Sequence, residues 1–239
     1  MSDHKISIVT VVYNGAKTLE RTIRSVADQQ YSNTEYIVID GGSTDGTQDI
    51  IRNYSHVINY QTSENDKGIY DAMNKSLKIA TGDWLLFLGA DDYLLQDSIS
   101  NFVERITDKD ALYYGDVYMP GRHILYHGQS SASLLARRNI SHQAIFYPRS
   151  IYSKKQYTLE YSICADYAYN LEAFRELGAS KFIYIPVLVA IFNDRDGTSA
   201  KKTDARFDAV HSSLVRKNLG LLVYLQTILL KFSRFFKPK

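Results

Sequence analysis

Two apolar segments that end in carboxylates constrain this chain more than any other feature. One is Ile37–Thr47, IVIDGGSTDGT, and the other is Phe87–Asp92, FLGADD. Each reads as a buried strand running into acidic and small residues. In open α/β sheets, ligands bind in the crevice at the carboxyl ends of parallel strands, so both acids belong at one binding edge. Gly41, Gly42 and Gly46 permit the sharp turn and close backbone approach such an edge needs. Two acidic strand ends in one sheet point to a nucleotide held through a metal rather than by a phosphate loop.

The intervening segments alternate in period. Ile6–Val12 is short, β-branched and nearly continuous, as buried parallel strands are. Tyr13-Asn14-Gly15 breaks it, and Ala16–Gln30 then carries Leu19, Ile23 and Val26 at helical spacing, with Glu20 and Arg24 at i,i+4. Tyr36–Ile39 follows as a strand, Gln48–Tyr54 as a helix and Val57–Tyr60 as a third strand. Gly68–Ala80 is a helix with Ile69, Met73, Leu77 and Ala80 inward, and Trp84–Leu88 is a fourth strand. This βαβαβαβ order predicts an α/β fold, a mostly parallel sheet with helices on both faces. Beyond about residue 110 the rhythm loosens into a smaller mixed half. A helix is expected over Leu94–Arg105, strands over Leu112–Tyr118, Arg122–Tyr126, Ala144–Tyr147 and Phe182–Val189, and a helix over Asp166–Leu177.

Charge and composition exclude several classes. Lys+Arg 28 against Asp+Glu 26 leaves +2 over 239 residues, too balanced for a nucleic-acid footprint. The single cysteine, Cys164, rules out an internal disulfide and a multi-cysteine metal site, and fits a reducing cytosol. The opening MSDHKISIVTVV has no basic region before a long apolar core, which argues against a signal peptide. The 19 tyrosines offer stacking and hydrogen-bonding groups for a sugar, although most suit half-buried strand positions equally well. The tail differs: residues 216–239 hold six basic residues and no acidic one. Its apolar run, Leu219–Leu230, is 12 residues, short of the roughly 20 that span a bilayer. With Phe232, Phe235 and Phe236 beside Lys231, Arg234 and Lys237, the tail reads as an interfacial membrane helix. A helix docked on its own domain or on a dimer partner is the alternative.

SIVTVVYN, IVIDGGSTDGT, GIYDAMNKSLKIATGDWLLFLGADD and CADYAYNLE stand in this order along the chain. Together they resemble the non-processive family-2 glycosyltransferases with the GT-A (Rossmann-like) fold, of the kind that builds bacterial O-antigen, capsule and exopolysaccharide repeats. The resemblance covers Ser7–Asp92 strongly and the remainder weakly. It implies a catalytic domain over residues 1–215, its nucleotide-sugar half at about 5–110 and its acceptor half at 111–215, before the basic amphipathic tail at 216–239. It implies an inverting hexosyltransferase with a nucleotide-sugar donor, usually UDP-linked, and Mn²⁺ or Mg²⁺ as cofactor.

Roles follow from the same resemblance. Asp40 takes the uracil or ribose, Thr10 and Tyr13 line the base pocket, and Asp71 touches the nucleotide or sugar. Asp91 contacts the donor as the metal ligand, where a cation bridging the phosphates stabilises charge on the departing diphosphate. Asp166 stands where the family places its base; inversion needs one carboxylate to deprotonate the acceptor hydroxyl as it attacks. A helix N-terminus also keeps such an acid ionised. Gly197-Thr198-Ser199 resembles the segment that closes over the diphosphate. His142, with Gln143, is read from its place before the strand AIFYP as a lining residue of the acceptor pocket.

The chain departs from the family pattern in three places. Gly89 stands where the acidic triplet opens, Ala165 where a first acid precedes the base, and Met73 where many members carry arginine. Metal must then lean on Asp91 and the diphosphate, with Asp92 holding the loop, contacting the donor sugar or capping the helix Leu94–Arg105. Lys75 or Arg195 is available for the phosphate, although Lys75 also reads as a solvated helix face.

The basic tail points to a polyprenyl-diphosphate-linked glycan as acceptor, and to a cytoplasmic protein peripheral on the inner face of the plasma membrane. A sugar-1-phosphate nucleotidyltransferase would need a glycine- and basic-rich loop after the first strand, which YNGAKTLER lacks. A non-catalytic sugar-nucleotide-binding scaffold stays open through the missing acids at 89 and 165. A processive synthase is disfavoured because Trp84 is the only tryptophan and no QxxRW occurs. A dinucleotide-binding dehydrogenase lacks its GxGxxG.

Overall fold

The structure, a computed structural model, describes residues 4–126, 128–195 and 203–235. Its first half is β1 (Ile6–Val12), α1 (Leu19–Ala27), β2 (Thr34–Asp40), α2 (Thr47–Asn53), β3 (Tyr60–Ser63), α3 (Ile69–Leu77) and β4 (Trp84–Phe87). The second half is β5 (Tyr93–Leu94), α4 (Ser98–Val103), β6 (Leu112–Met119), β7 (Ile124–Tyr126), α5 (Ala132–Leu135), β8 (Ile145–Pro148), α6 (Arg149–Tyr152), α7 (Ala165–Leu177) and β9 (Phe182–Ile191). Helices α8 (Ala205–Leu219) and α9 (Leu221–Phe235) follow. All seven residues of β1 are buried, the consequence of helices on both faces of the sheet. Gly46 and Gly68 precede α2 and α3 at φ +99° and +112°, a backbone region that a side chain resists.

One sheet joins both halves, in the order β3-β2-β1-β4-β8-β6-β9-β5, with β7 on β6. Strands β1 to β4 are parallel, β8 runs antiparallel to β4, and β6 and β9 run parallel to each other and antiparallel to β8. The carboxyl ends of β1, β2, β3, β4, β6 and β9 therefore meet the amino end of β8 at one edge. Residues far apart in sequence converge there.

The sheet has a core on each face. On one, Trp84 is ringed by Phe102 and Tyr113, and its indole N–H donates to the Ala111 carbonyl at 2.9 Å. On the other, Tyr70, Tyr147, Tyr157 and Tyr169 stack and cross one another. Many of the tyrosines thus serve as core residues.

Two elements differ from expectation. The third strand is Tyr60–Ser63, not Val57–Tyr60, because Val57 and Ile58 donate back to the Tyr54 carbonyl and close the turn after α2. Strand β3 is the sheet edge and mostly exposed, so it lacks the apolar run that marks a buried strand. The helix expected over Leu94–Arg105 shrinks to α4. Leu94 pairs with Ala190 as part of β5, and Asp97 just before α4 sits at φ +58°, outside helical geometry. Asp92 consequently caps no helix.

Asp204 caps α8 by accepting from the Phe207 amide at 3.2 Å, and Gly220 at φ +88° separates α8 from α9. Val223 and Tyr224 pack α9 against the domain core. Its opposite side leaves Leu222 77% and Leu229 67% exposed. Among the described residues, no helix is long and apolar enough to cross a membrane.

Candidate active site

The loops after β1 and β2 are built as one unit. Asp40 is fully buried; its carboxylate accepts from the Ser43 amide at 3.1 Å, from the Ser43 hydroxyl and from Ser63 Oγ at 2.5 Å. Ser43 Oγ accepts from the Asn14 amide at 2.7 Å, and Asn14 Oδ1 accepts from the Thr44 amide at 3.0 Å. This lock presents Tyr13, 67% exposed, at the rim with its ring open to a stacking partner. Thr10 lies deeper, fully buried, with its hydroxyl accepting from Tyr36 at 3.0 Å.

The segment before α3 closes over this unit. A side chain at Gly41 would strike the Asp66 carboxylate, and Asp66 itself accepts from the Gly68 amide at 2.8 Å. Asp71 accepts from the Lys67 amide at 3.0 Å. Lys75 is no solvated face: its side chain is 23% exposed, pairing with Glu64 at 3.0 Å and donating to the Asn65 carbonyl at 3.1 Å. Met73 is buried in the core.

Past β4, Asp91 and Asp92 diverge. Asp92 turns inward and accepts from Gln143 Nε2 and from the Asn193 amide, each at 2.7 Å. Burial, together with the neighbouring Asp91 charge, pushes its carboxyl up to about 6. Asp91 stays at the crevice, where Asn193 Nδ2 donates to it at 3.3 Å. Burial raises its pKa too, against the smaller opposing pull of Asn193 and Arg21. Arg21 spends its own donor on the Asp91 carbonyl at 2.9 Å and lies over the Tyr93 ring.

Asp166 sits in the first turn of α7, in a shell of donors. Tyr70 Oη, which shares its one proton with the nearer Ile163 carbonyl, lies 3.0 Å from one carboxylate oxygen; Asn139 Nδ2 donates to the other at 2.8 Å, with His142 Nδ1 3.4 Å from it. Asn170 orients Asn139 through a 2.8 Å bond and is itself held by the Tyr147 hydroxyl at 2.7 Å. Burial of His142 opposes its protonation, but the hydrogen bond and charge of Asp166, with Asp92 and Asp91 behind, raise its pKa overall. The His142–Ala144 turn precedes β8; His142 touches Asp166 and the next residue, Gln143, holds Asp92, so the turn links Asp166 to the acidic end of β4.

The edge thus assembles Tyr13, Asp40, Asp91, His142 and Asp166, with Asp71 in the first turn of α3 and Thr10 behind in the sheet. Sequence reasoning missed Tyr70, Asn139 and Asn193. The inward face expected for the Gly68–Ala80 helix was Ile69, Met73, Leu77 and Ala80, but Ile69 is exposed and Tyr70 takes the buried position. Asn193 had only the polar break FND after an apolar strand as a signal. Gly197-Thr198-Ser199 lies outside the described residues.

Among the described residues, no cluster of three or more acids, histidines or cysteines would hold a metal alone. Asp91 fits a cation shared with a ligand's own oxygens: it is a hard carboxylate at the crevice with the Asn193 amide as its side-chain donor at 3.3 Å.

The chain shares a TM-score of 0.70 at 18% identity with S. aureus TarS 1-349 in complex with UDP-GlcNAc, over 90% of this chain and 66% of that one. The mannosyltransferase PcManGT from Pyrobaculum calidifontis, in complex with GDP-Man and Mn²⁺, gives 0.63 at 16% identity over 99% of this chain and 76% of that one. These likenesses establish the GT-A fold. The model for glycosyl transferase family 2 matches residues 7–178, and the chain belongs to that family. A PGL/p-HBAD biosynthesis glycosyltransferase of Mycobacterium bovis is 36% identical over 215 residues, covering 87% of this chain and 84% of the relative. The protein is a glycosyltransferase.

Proposed function

We propose that this glycosyltransferase moves a hexose or N-acetylhexosamine from a UDP-sugar to a hydroxyl of a growing bacterial surface glycan, with inversion at the anomeric carbon. The observation that carries the reading is that Asp91 and Asp166 lie at one edge of the sheet, linked through the His142-Gln143 turn. UDP is favoured because the TarS segment was obtained with UDP and with UDP-GlcNAc. In this reading Tyr13 stacks on the base, Asp40 takes the uracil or ribose, and Thr10 and Asp71 complete the nucleotide site. Asp91 would hold Mn²⁺ or Mg²⁺, which when bound neutralises charge on the diphosphate. Asp166 takes the proton of the acceptor hydroxyl as that oxygen attacks the anomeric carbon; the bond to the diphosphate breaks, and the nucleoside diphosphate leaves with its electrons. His142 lines the acceptor side. With an α-linked UDP-sugar, the account expects a β-linked product by NMR, and an α-linked product would contradict it.

We assign catalysis to residues 1–215 and membrane contact to the tail at 216–239, which would hold the enzyme at the inner face of the plasma membrane near a polyprenyl-diphosphate-linked acceptor. The support is the outward leucine face of α9 together with a tail free of acids. Because Leu222 and Leu229 are exposed, charging them spares the core. Leu222→Glu with Leu229→Glu should stop the protein sedimenting with anionic vesicles while UDP binding persists. Continued sedimentation would sink the membrane role.

A further inference from the structure

Gly89 leaves open what seats Asp91 when no acid precedes it. Asp92 is 1% exposed, and its two carboxylate oxygens are taken by Gln143 Nε2 and the Asn193 amide, each at 2.7 Å. Both donors are themselves held. Ser141 Oγ donates to Gln143 Oε1 at 2.6 Å, which leaves the amide nitrogen of Gln143 facing Asp92. The residue after Asn193 is Asp194, whose buried carboxylate accepts from the Gly121 amide at 2.6 Å, the Arg122 amide at 2.9 Å and Arg122 Nε at 2.8 Å. The end of β9 is thereby tied to the β6–β7 turn, and the Asn193 side chain reaches Asp91 at 3.3 Å.

A Cβ added at Gly89 would lie 2.5 Å from Asp92 Oδ2 and 3.2 Å from Asp91 Oδ1. Contacts under 3 Å of this kind require something to move. Asp92 cannot swing aside without leaving two buried donors unpaired. A side chain at 89 and the inward Asp92 therefore exclude each other.

We propose that Asn193 is a positioning residue for Asp91, and that Gly89 is the space which the Gln143–Asp92–Asn193 clamp requires. At this position the chain has glycine beside a polar clamp supplied by the segments flanking β8 and β9. Asn193 donates to one oxygen of Asp91 and carries no charge, so it fixes the carboxylate without competing for the cation. The inference rests on Asp91 as the cation ligand proposed above.

The test is Mn²⁺ affinity of the full-length protein in the presence of UDP, read by electron paramagnetic resonance of free Mn²⁺, beside UDP affinity without metal and the melting temperature. Outer partners of metal ligands typically contribute about 10- to 100-fold in affinity, and Asn193→Ala should weaken Mn²⁺ binding within that range. Metal-free UDP affinity should not change, which separates positioning from general damage. Gly89→Asp should also weaken Mn²⁺ binding and lower the melting temperature, although it adds an acid. Tighter Mn²⁺ binding by Gly89→Asp would overturn the proposal. So would Asn193→Ala binding Mn²⁺ as the unaltered protein does, and this variant decides alone if Gly89→Asp fails to fold. No Mn²⁺ affinity in the unaltered protein would overturn the metal reading and the clamp's purpose with it, a result distinct from normal binding that the variants leave untouched.

Discussion

Asp166→Asn should lower turnover by about two to four orders of magnitude, the range that a positioned general base contributes, while donor affinity stays near that of the unaltered protein. The substitution keeps the shape of the side chain and one oxygen to accept from Tyr70 or Asn139, so the shell around α7 survives. What it removes is the capacity to take a proton. Tyr70 cannot substitute at neutral pH, because burial and then the Asp166 charge hold its hydroxyl well above the usual phenol range. Steady-state kinetics with UDP calorimetry on the same preparation separates the two quantities. Turnover close to that of the unaltered enzyme would remove Asp166 from the chemistry and return attention to His142.

The second large effect is expected at Asp91. A cation on a diphosphate is worth several kcal/mol of charge stabilisation, and each 1.4 kcal/mol is about tenfold in rate, so Asp91→Ala should cost at least about 100-fold in kcat/KM. UDP binding should lose its dependence on Mn²⁺ at the same time. The fold should not suffer. Burial holds the Asp91 pKa above its ordinary value, so at neutral pH the ionised carboxylate is less favourable in the folded protein than in the unfolded chain. Deleting it relieves that cost, and the melting temperature should hold steady or rise. A variant that keeps metal-dependent UDP binding would show that another group holds the cation.

These two acids were legible in the sequence for a physical reason: each stands where a regular element begins or ends, and the pattern of that element locates it. Asp91 follows the four buried residues of β4, and Asp166 opens the helical stretch of α7. The parallel half of the sheet was legible too, because buried strands and amphipathic helices leave periodic marks. What surrounds the acids was not. Tyr70 reaches Asp166 across 96 positions, and the Asn193 amide reaches Asp92 across 101. No local period encodes such a bond; it arises only when the two halves of the chain are joined in one sheet. Asp92 looked like a helix cap because an acid before Leu94 has the right local spacing, and only the pairing of Leu94 with Ala190 shows that a strand begins there. The α9 tail is a similar case. Its composition marked it as apolar and basic, yet which side docks on the domain through Val223 and Tyr224 depends on the surface beneath it.

The central claim is that the edge gathered around Asp40, Asp91 and Asp166 is a metal-assisted site for a uridine nucleotide. Calorimetric titration of UDP into the full-length protein, with and without Mn²⁺, tests it without knowledge of the acceptor. The account predicts tight binding that requires Mn²⁺. No binding of UDP in either condition would contradict it.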